Sequence, residues 1–93
     1  MSEISRADET TQLPTERMMP RVQRMGNRDI EVTFLGLNSS GKPSWILWNP
    51  NEPHLIGLLT QGSLGYNFEQ RTSVGVFMHE NISLNRLNKA LMA

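Results

Sequence analysis

Two arginines stand four residues apart near the start of the chain, with a proline between them, and they are well suited to binding an anion. They are Arg17 and Arg21, with Pro20 directly before the second. Each guanidinium offers paired N–H donors to a phosphate and a planar face that can stack on a base. This spacing predicts a phosphate or nucleotide site, and the alternative interpretation is a solvated basic linker.

No catalytic or metal-binding arrangement emerges from the other reactive side chains. His54 and His79 lie far apart in the sequence and the chain has no cysteine, so neither a nucleophile with its base nor a ligand cluster can be assembled. Residues 36–42 fit the phosphate-loop pattern G-x-x-x-x-G-K, but Pro43 stands where a serine or threonine would bind magnesium. We therefore expect a non-enzymatic protein without metal or cofactor, and we interpret residues 36–42 as a hairpin turn.

Two tryptophans lie three residues apart in the densest apolar block of the chain, Trp45-Ile46-Leu47-Trp48. Turn-forming residues bracket the block on both sides, which makes it too short for a helix and suits a buried strand. Side chains three apart in a strand point to opposite faces. A small core can bury one of Trp45 and Trp48 and leave the other exposed, as an anchor for a protein partner or a second copy. The alternative is that both faces of the strand are covered, so that both tryptophans are buried.

The hydropathy pattern predicts an α+β, mostly β fold. Apolar and polar residues alternate over residues 29–34, and further short strands are indicated around residues 44–49, 54–60, 66–68 and 73–79. Leucines then repeat at helical spacing near the C-terminus, with Asn81 or Ser83 as the N-cap. We expect a small antiparallel barrel or curled sheet of about five strands, with the C-terminal helix on one opening or edge.

The sequence divides into a flexible N-terminal arm, residues 1–27, and a single small β-rich domain, residues 28–93. Residues 1–16 are rich in Ser, Thr, Glu and Gln, a composition that cannot offset the entropy of ordering. Over residues 17–28, Pro20 and Gly26 interrupt any helix, so extended chain is expected. A chain this short has a small hydrophobic core and little stability from it, so we expect that self-association could add to the buried apolar surface.

The charge distribution limits the class of partner. The formal net charge is zero, and residues 17–28 carry four arginines and no acid before Asp29. This predicts a local anion site and not the broad basic surface of a nucleic-acid binder. Single-stranded nucleic-acid binding through the tryptophans and Tyr66 is therefore not favoured. The chain has no cysteine, no apolar leader and no membrane-length apolar run, so we expect a cytoplasmic protein that does not enter membranes.

Three short motifs resemble those of PilZ domains, the small bacterial receptors for cyclic diguanylate. Arg17 and Arg21 are similar to the family's opening R-x-x-x-R element. Asn38 and Ser40 match its second motif, [D/N]-x-S-x-x-G, in which Pro43 takes the place of the closing glycine. The string Val74-Gly75-Val76-Phe77, followed by a helix, resembles the end of the family fold in order though not in detail.

The resemblance implies a cyclic-di-GMP receptor. It assigns the phosphate and guanine faces to Arg17 and Arg21, and the base and ribose edges to Asn38 and Ser40. Degenerate members of the family bind no nucleotide and act through protein contacts. Independently of the resemblance, the alternative function is a small protein–protein interaction regulator or inhibitor that binds no nucleotide, with Trp45 and Trp48, on opposite faces of their strand, as its candidate partner contacts.

Overall fold

The computed structural model describes residues 12–52 and 54–92. These residues form an antiparallel sheet of six strands, arranged in chain order and not closed into a barrel, and one C-terminal α-helix. This confirms the predicted mostly β fold, in its open-sheet form. The elements are β1 (Arg21–Met25), β2 (Arg28–Leu37), β3 (Pro43–Asn49), β4 (His54–Gln61), β5 (Tyr66–Thr72), β6 (Gly75–Ile82) and α1 (Leu84–Met92).

Strand β1 brings the strand count to six instead of the expected five or so. It lies in the segment predicted to be extended, within the predicted arm, and pairs with β2 through a two-residue turn at Gly26 and Asn27. Both turn residues have φ close to +60°. Glycine and asparagine tolerate this left-handed conformation better than other residues, and it suits a tight hairpin. Residues 1–11 of the predicted arm lie outside the described part of the chain.

One face of the sheet carries the hydrophobic core, and we call it the inner face. Helix α1 contributes to this core and contacts both edge strands, β1 and β6, so it packs across the inner face. Its N-cap is Ser83, whose Oγ accepts a hydrogen bond from the Arg86 N–H at 3.1 Å. The largest fully buried side chains are Phe68, Met25, Ile30, Leu47, Leu59, Leu87, Leu91 and Val32.

Two glycines allow the close packing around this core. A Cβ at Gly26 would meet the Asn88 carbonyl oxygen and lie 2.9 Å from Leu91 Cβ, so α1 rests directly on the β1–β2 turn. A Cβ at Gly57 would meet the main chain of β5 and the ring of Phe68. Next to Gly57 the register of β4 shifts by one residue, which is a β-bulge at Ile56. The bulge keeps Ile56 buried, while Leu55 and Leu58 on either side lie on the outer face.

Among the residues that the structure describes, no helix has both the length and the apolar character needed to cross a membrane.

Candidate functional site

Arg17 is held against β2 by main-chain pairing. It forms an isolated parallel bridge with Phe34, and the N–H of the next residue, Met18, donates to the Phe34 carbonyl at 2.8 Å. Its side chain lies across Gly36, where a Cβ would come within 3.1 Å of the arginine Nε. Because Gly36 has no side chain, there is space over it for the Cγ, Cδ and Nε atoms of Arg17.

Arg21 has different surroundings. It is exposed on β1, opposite Val32 in the register, and it lines a depression of about 300 Å³ together with residues 12–16, Met19 and Pro20. Arg17 does not line this depression. Neither arginine side chain forms an ion pair or hydrogen bond with any residue of the described ranges. Both remain able to bind an anion, but they lie against different parts of the sheet.

The predicted second motif forms the turn between β2 and β3. The Asn38 side-chain oxygen accepts hydrogen bonds from the main-chain N–H groups of Ser40 (2.9 Å) and Lys42 (3.0 Å). The Asn38 N–H in turn donates to the Lys42 carbonyl at 2.8 Å. Asn38 is therefore engaged in holding its own turn together. The Ser40 side chain is exposed, and its hydroxyl has no hydrogen-bond partner within residues 12–52 and 54–92.

Trp45 belongs to the core. It is only 4 % exposed, and its indole N–H donates to the Pro14 carbonyl at 2.8 Å. Its ring centroid lies 5.4 Å from that of Phe34 and 6.0 Å from that of Tyr66. A partner cannot reach this side chain without unpacking the core, so Trp45 is removed from the candidate partner contacts. Trp48 is the remaining candidate for the partner contact that was predicted for one of the two tryptophans.

Trp48 lies on the outer face and is half-buried. It lines a shallow depression of about 390 Å³ with Glu31, its direct neighbour on β2, and with the β3–β4 turn. That turn is shaped by the Asn49 side-chain oxygen, which accepts a hydrogen bond from the Asn51 N–H at 2.9 Å. The turn also brings the exposed carboxylate of Glu52 to the same depression. We call this depression, lined by Glu31, Trp48 and residues 49–52, the Trp48 site.

The Trp48 site carries two carboxylates, and the part of the chain that the structure describes supplies no counter-ion to them. Neither Glu31 nor Glu52 forms an ion pair or hydrogen bond with another described residue, and no basic residue lines the depression. Asp29, the preceding carboxylate on the outer side of β2, differs in being paired with Arg24 at 3.2 Å. An indole face beside two unpaired carboxylates is an arrangement suited to a cationic group.

Apolar side chains surround the Trp48 site on the outer face. In the register, Trp48 lies opposite Leu55, and Ile46 lies opposite Leu58. These three neighbours are half-buried, and Val22, which lies beside Glu31 on β1, is 56 % exposed. The outer face therefore offers an aromatic centre with an apolar border, which is the composition found at the centre of protein–protein interfaces.

The sequence prediction did not include the carboxylates Glu31 and Glu52. The alternation in β2 predicts that Glu31 faces solvent, but local sequence patterns do not reveal the strand register that sets it beside Trp48. Glu52 follows Trp48 closely in the chain, so its proximity was the detectable signal. Within the ranges 12–52 and 54–92, no group of three His, Cys, Asp or Glu side chains is placed to hold a metal ion.

No family model matches the sequence, and comparisons with curated proteins and with solved structures gave no match either. The resemblance to PilZ domains therefore stays a prediction.

Proposed function

We propose that this protein is a non-enzymatic interaction module that binds a partner protein through the Trp48 site. The partner contributes a lysine or arginine side chain, which packs on the indole of Trp48 between Glu31 and Glu52. The observation that carries this proposal is that two carboxylates with no ion pair among the described residues lie in the same depression as a half-buried tryptophan. The apolar neighbours on the outer face then contact the rest of the partner.

The expected energies describe a central anchor and not a complete interface. A cation on an exposed aromatic face contributes about 0.5–1 kcal/mol, and each exposed ion pair about 0.2–1 kcal/mol. These contributions total at most about 3 kcal/mol, so an isolated arginine side chain should bind weakly, with a Kd on the order of 10 mM at that upper limit. The apolar border around Trp48 supplies the additional contact area that a folded partner needs.

The test uses the two indole N–H signals in proton–nitrogen NMR spectra of the full chain. The probe is a capped Gly-Arg-Gly-Arg-Gly peptide, titrated to about 30 mM so that most sites are occupied. We expect a saturable shift of the Trp48 indole signal. The Trp45 signal should stay in place, because that N–H is buried and bonded to Pro14. An unchanged Trp48 signal, or equal shifts at both indoles, would contradict the proposal.

Matched peptides and variants isolate the charge. A Gly-Glu-Gly-Glu-Gly peptide should leave Trp48 unchanged, and the double variant Glu31→Gln/Glu52→Gln should weaken binding of the arginine peptide about fivefold or more. The variant Glu80→Gln is the control, because Glu80 is an exposed carboxylate on β6, away from the Trp48 site. Equal affinity in the double variant would exclude the two carboxylates as the recognition element.

A second candidate function is cyclic-dinucleotide binding. It is supported by the two arginines, whose guanidinium groups are not engaged by acidic side chains of the described residues. Arg17 and Arg21 have no acidic partner in the described ranges, and Arg21 borders a depression large enough for part of a ligand. Calorimetry with cyclic diguanylate should then give heat with the parent chain and none with Arg17→Ala/Arg21→Ala. Absence of heat with the parent would rule out this function and leave the proposal for the Trp48 site untouched.

A further inference from the structure

The two edges of the sheet differ in how well they are protected from pairing with another strand. Strand β1 is short and carries Arg21 and Arg24, which is a common protection for an exposed edge. Strand β6 has eight residues, and in the described part of the chain its only strand neighbour is β5. Within residues 12–52 and 54–92, its main-chain groups at positions 76–80 form no main-chain hydrogen bond other than those to β5.

The first half of β6 is also apolar and exposed. Val76, Phe77 and Met78 are 52 %, 48 % and 56 % exposed, and Val74 in the preceding turn is 82 % exposed. No charged residue interrupts this stretch before Glu80. A flat edge with consecutive apolar side chains is a template for strand addition unless something covers it.

The strand next to β6 does not impose a charge on this edge. Arg71 and Glu69 on β5 form an ion pair with each other at 2.7 Å. His79 is occupied on the inner side, where its Nε2 lies 2.8 Å from the Gln70 side-chain oxygen and its ring stacks on Phe68. The edge is therefore close to neutral, and a partner strand that is itself neutral and apolar fits it best.

We infer that a second copy of this chain covers the edge, with two β6 strands pairing antiparallel about a two-fold axis at Phe77. This axis sets Val76 of each copy opposite Met78 of the other, and Val74 opposite Glu80. No like charges face each other, and the net charge of zero gives no general repulsion between copies. An axis at Glu80 would instead place two carboxylates side by side, whereas an axis at Phe77 lies at the centre of the exposed apolar run 76–78.

The dimer would join two six-stranded sheets into one continuous sheet and bury apolar side chains that the small monomer leaves exposed. It would not block the Trp48 site, because Trp48 lies on β3, three strands away from β6. Each dimer would then present two Trp48 sites. The inference depends on β6 alone and stands independently of what binds at Trp48.

The first test uses cysteine cross-linking, which is clean because the chain has no cysteine of its own. A residue on the two-fold axis faces its own counterpart at a distance that a disulfide can span. We expect Phe77→Cys to form a covalent dimer rapidly under mild oxidation. Val22→Cys is the matched control, since Val22 is an apolar residue of similar exposure (56 %) on the opposite edge. Equal cross-linking of both variants would overturn the inference.

The second test measures mass in solution by sedimentation velocity on the full chain. The parent should sediment as a dimer, and Val76→Lys should raise the dissociation constant about tenfold or more, a change of about 1.4 kcal/mol. Met78→Lys should act in the same way. The Trp45 indole signal verifies that each variant is folded, because it reports the buried hydrogen bond to Pro14. A monomeric parent, or folded lysine variants that dimerise like the parent, would exclude the β6 interface.

Discussion

Trp45 and Trp48 belong to the same strand but have opposite surroundings. Trp45 points inward, where its N–H bonds to Pro14 and its ring packs among other aromatic rings. Trp48 points outward, beside Glu31 and near Glu52, and is only half-buried. The period of the strand separates the two roles, since β3 pairs with β2 without a bulge between these two residues, and residues three apart in a regular strand point to opposite faces. One tryptophan therefore stabilises the fold, and the other is available for binding.

The same distinction applies to the carboxylates of β2. Asp29 is paired with Arg24, whereas Glu31 has no ionic partner among the described residues. Groups whose hydrogen bonds and charges are satisfied within the fold have a structural explanation. Groups of the same type that have no ionic partner among the described residues and line a concave surface are the better candidates for binding. The Trp48 site, which Glu31 lines, is therefore the better candidate for binding on this face of the sheet.

The largest expected effect is the difference in stability between the two tryptophan variants. Trp45→Ala should lower the free energy of unfolding by about 3–5 kcal/mol, because it leaves a cavity in the core and an unpaired carbonyl at Pro14. Trp48→Ala should cost roughly 1 kcal/mol, since the side chain is already partly exposed to water. Urea denaturation followed by circular dichroism measures both. Similar losses for the two variants would contradict the assignment of separate roles.

Trp45→Phe refines this comparison. It keeps an aromatic ring against Phe34 and Tyr66 but removes the donor to Pro14. The loss should be smaller than for Trp45→Ala, and at least about 1 kcal/mol of it should come from the missing hydrogen bond. A loss as large as that of Trp45→Ala would mean that the hydrogen bond matters more than the packing of the ring.

An intermediate effect is expected at Gly57, where the inner face has no room for a side chain. Gly57→Ala places a Cβ against the Glu69 carbonyl oxygen and 2.7 Å from a ring carbon of Phe68. The main chain of β5 cannot move aside cheaply, so overpacking should cost about 1–3 kcal/mol. Gly62→Ala is the control, because its nearest neighbour lies 3.3 Å away in a loop. Thermal unfolding of both variants tests this, and an equal loss would contradict the claim of a crowded inner face.

Much of the fold could be predicted from the sequence because it depends on local patterns. The alternation around Ile30 and Val32 predicted β2, the bracketing turns predicted β3, and the leucine repeat predicted α1. Strand β1 was predicted as extended chain without its pairing, although Gly26 and Asn27 form the type of two-residue turn that signals a hairpin. The missed signal was local, and reading it would have given the sixth strand.

The candidate site was harder to predict because it depends on long-range register. Glu31 and Trp48 are far apart in sequence and become neighbours only through the β2–β3 pairing. The bulge at Ile56 likewise decides that Leu55 and Leu58 share the outer face with Trp48. The sequence motif predicts Asn38 and Ser40 as ligand contacts. A motif alone does not show whether a side chain forms hydrogen bonds to a ligand or to its own turn. Hydrogen bonds to Ser40 and Lys42 supply that information for Asn38.

The smallest expected effect extends the comparison to this turn. Asn38→Ala removes the acceptor of two main-chain N–H groups and should lower the free energy of unfolding by about 1 kcal/mol. Ser40→Ala removes an exposed hydroxyl that has no partner in the described structure, so its effect should stay within about 0.5 kcal/mol. Denaturation in urea with and without cyclic diguanylate distinguishes the two explanations for Asn38. A ligand-binding role alone predicts that Asn38→Ala changes only the ligand-dependent stability, whereas a turn-forming role predicts the same loss in the absence of any ligand.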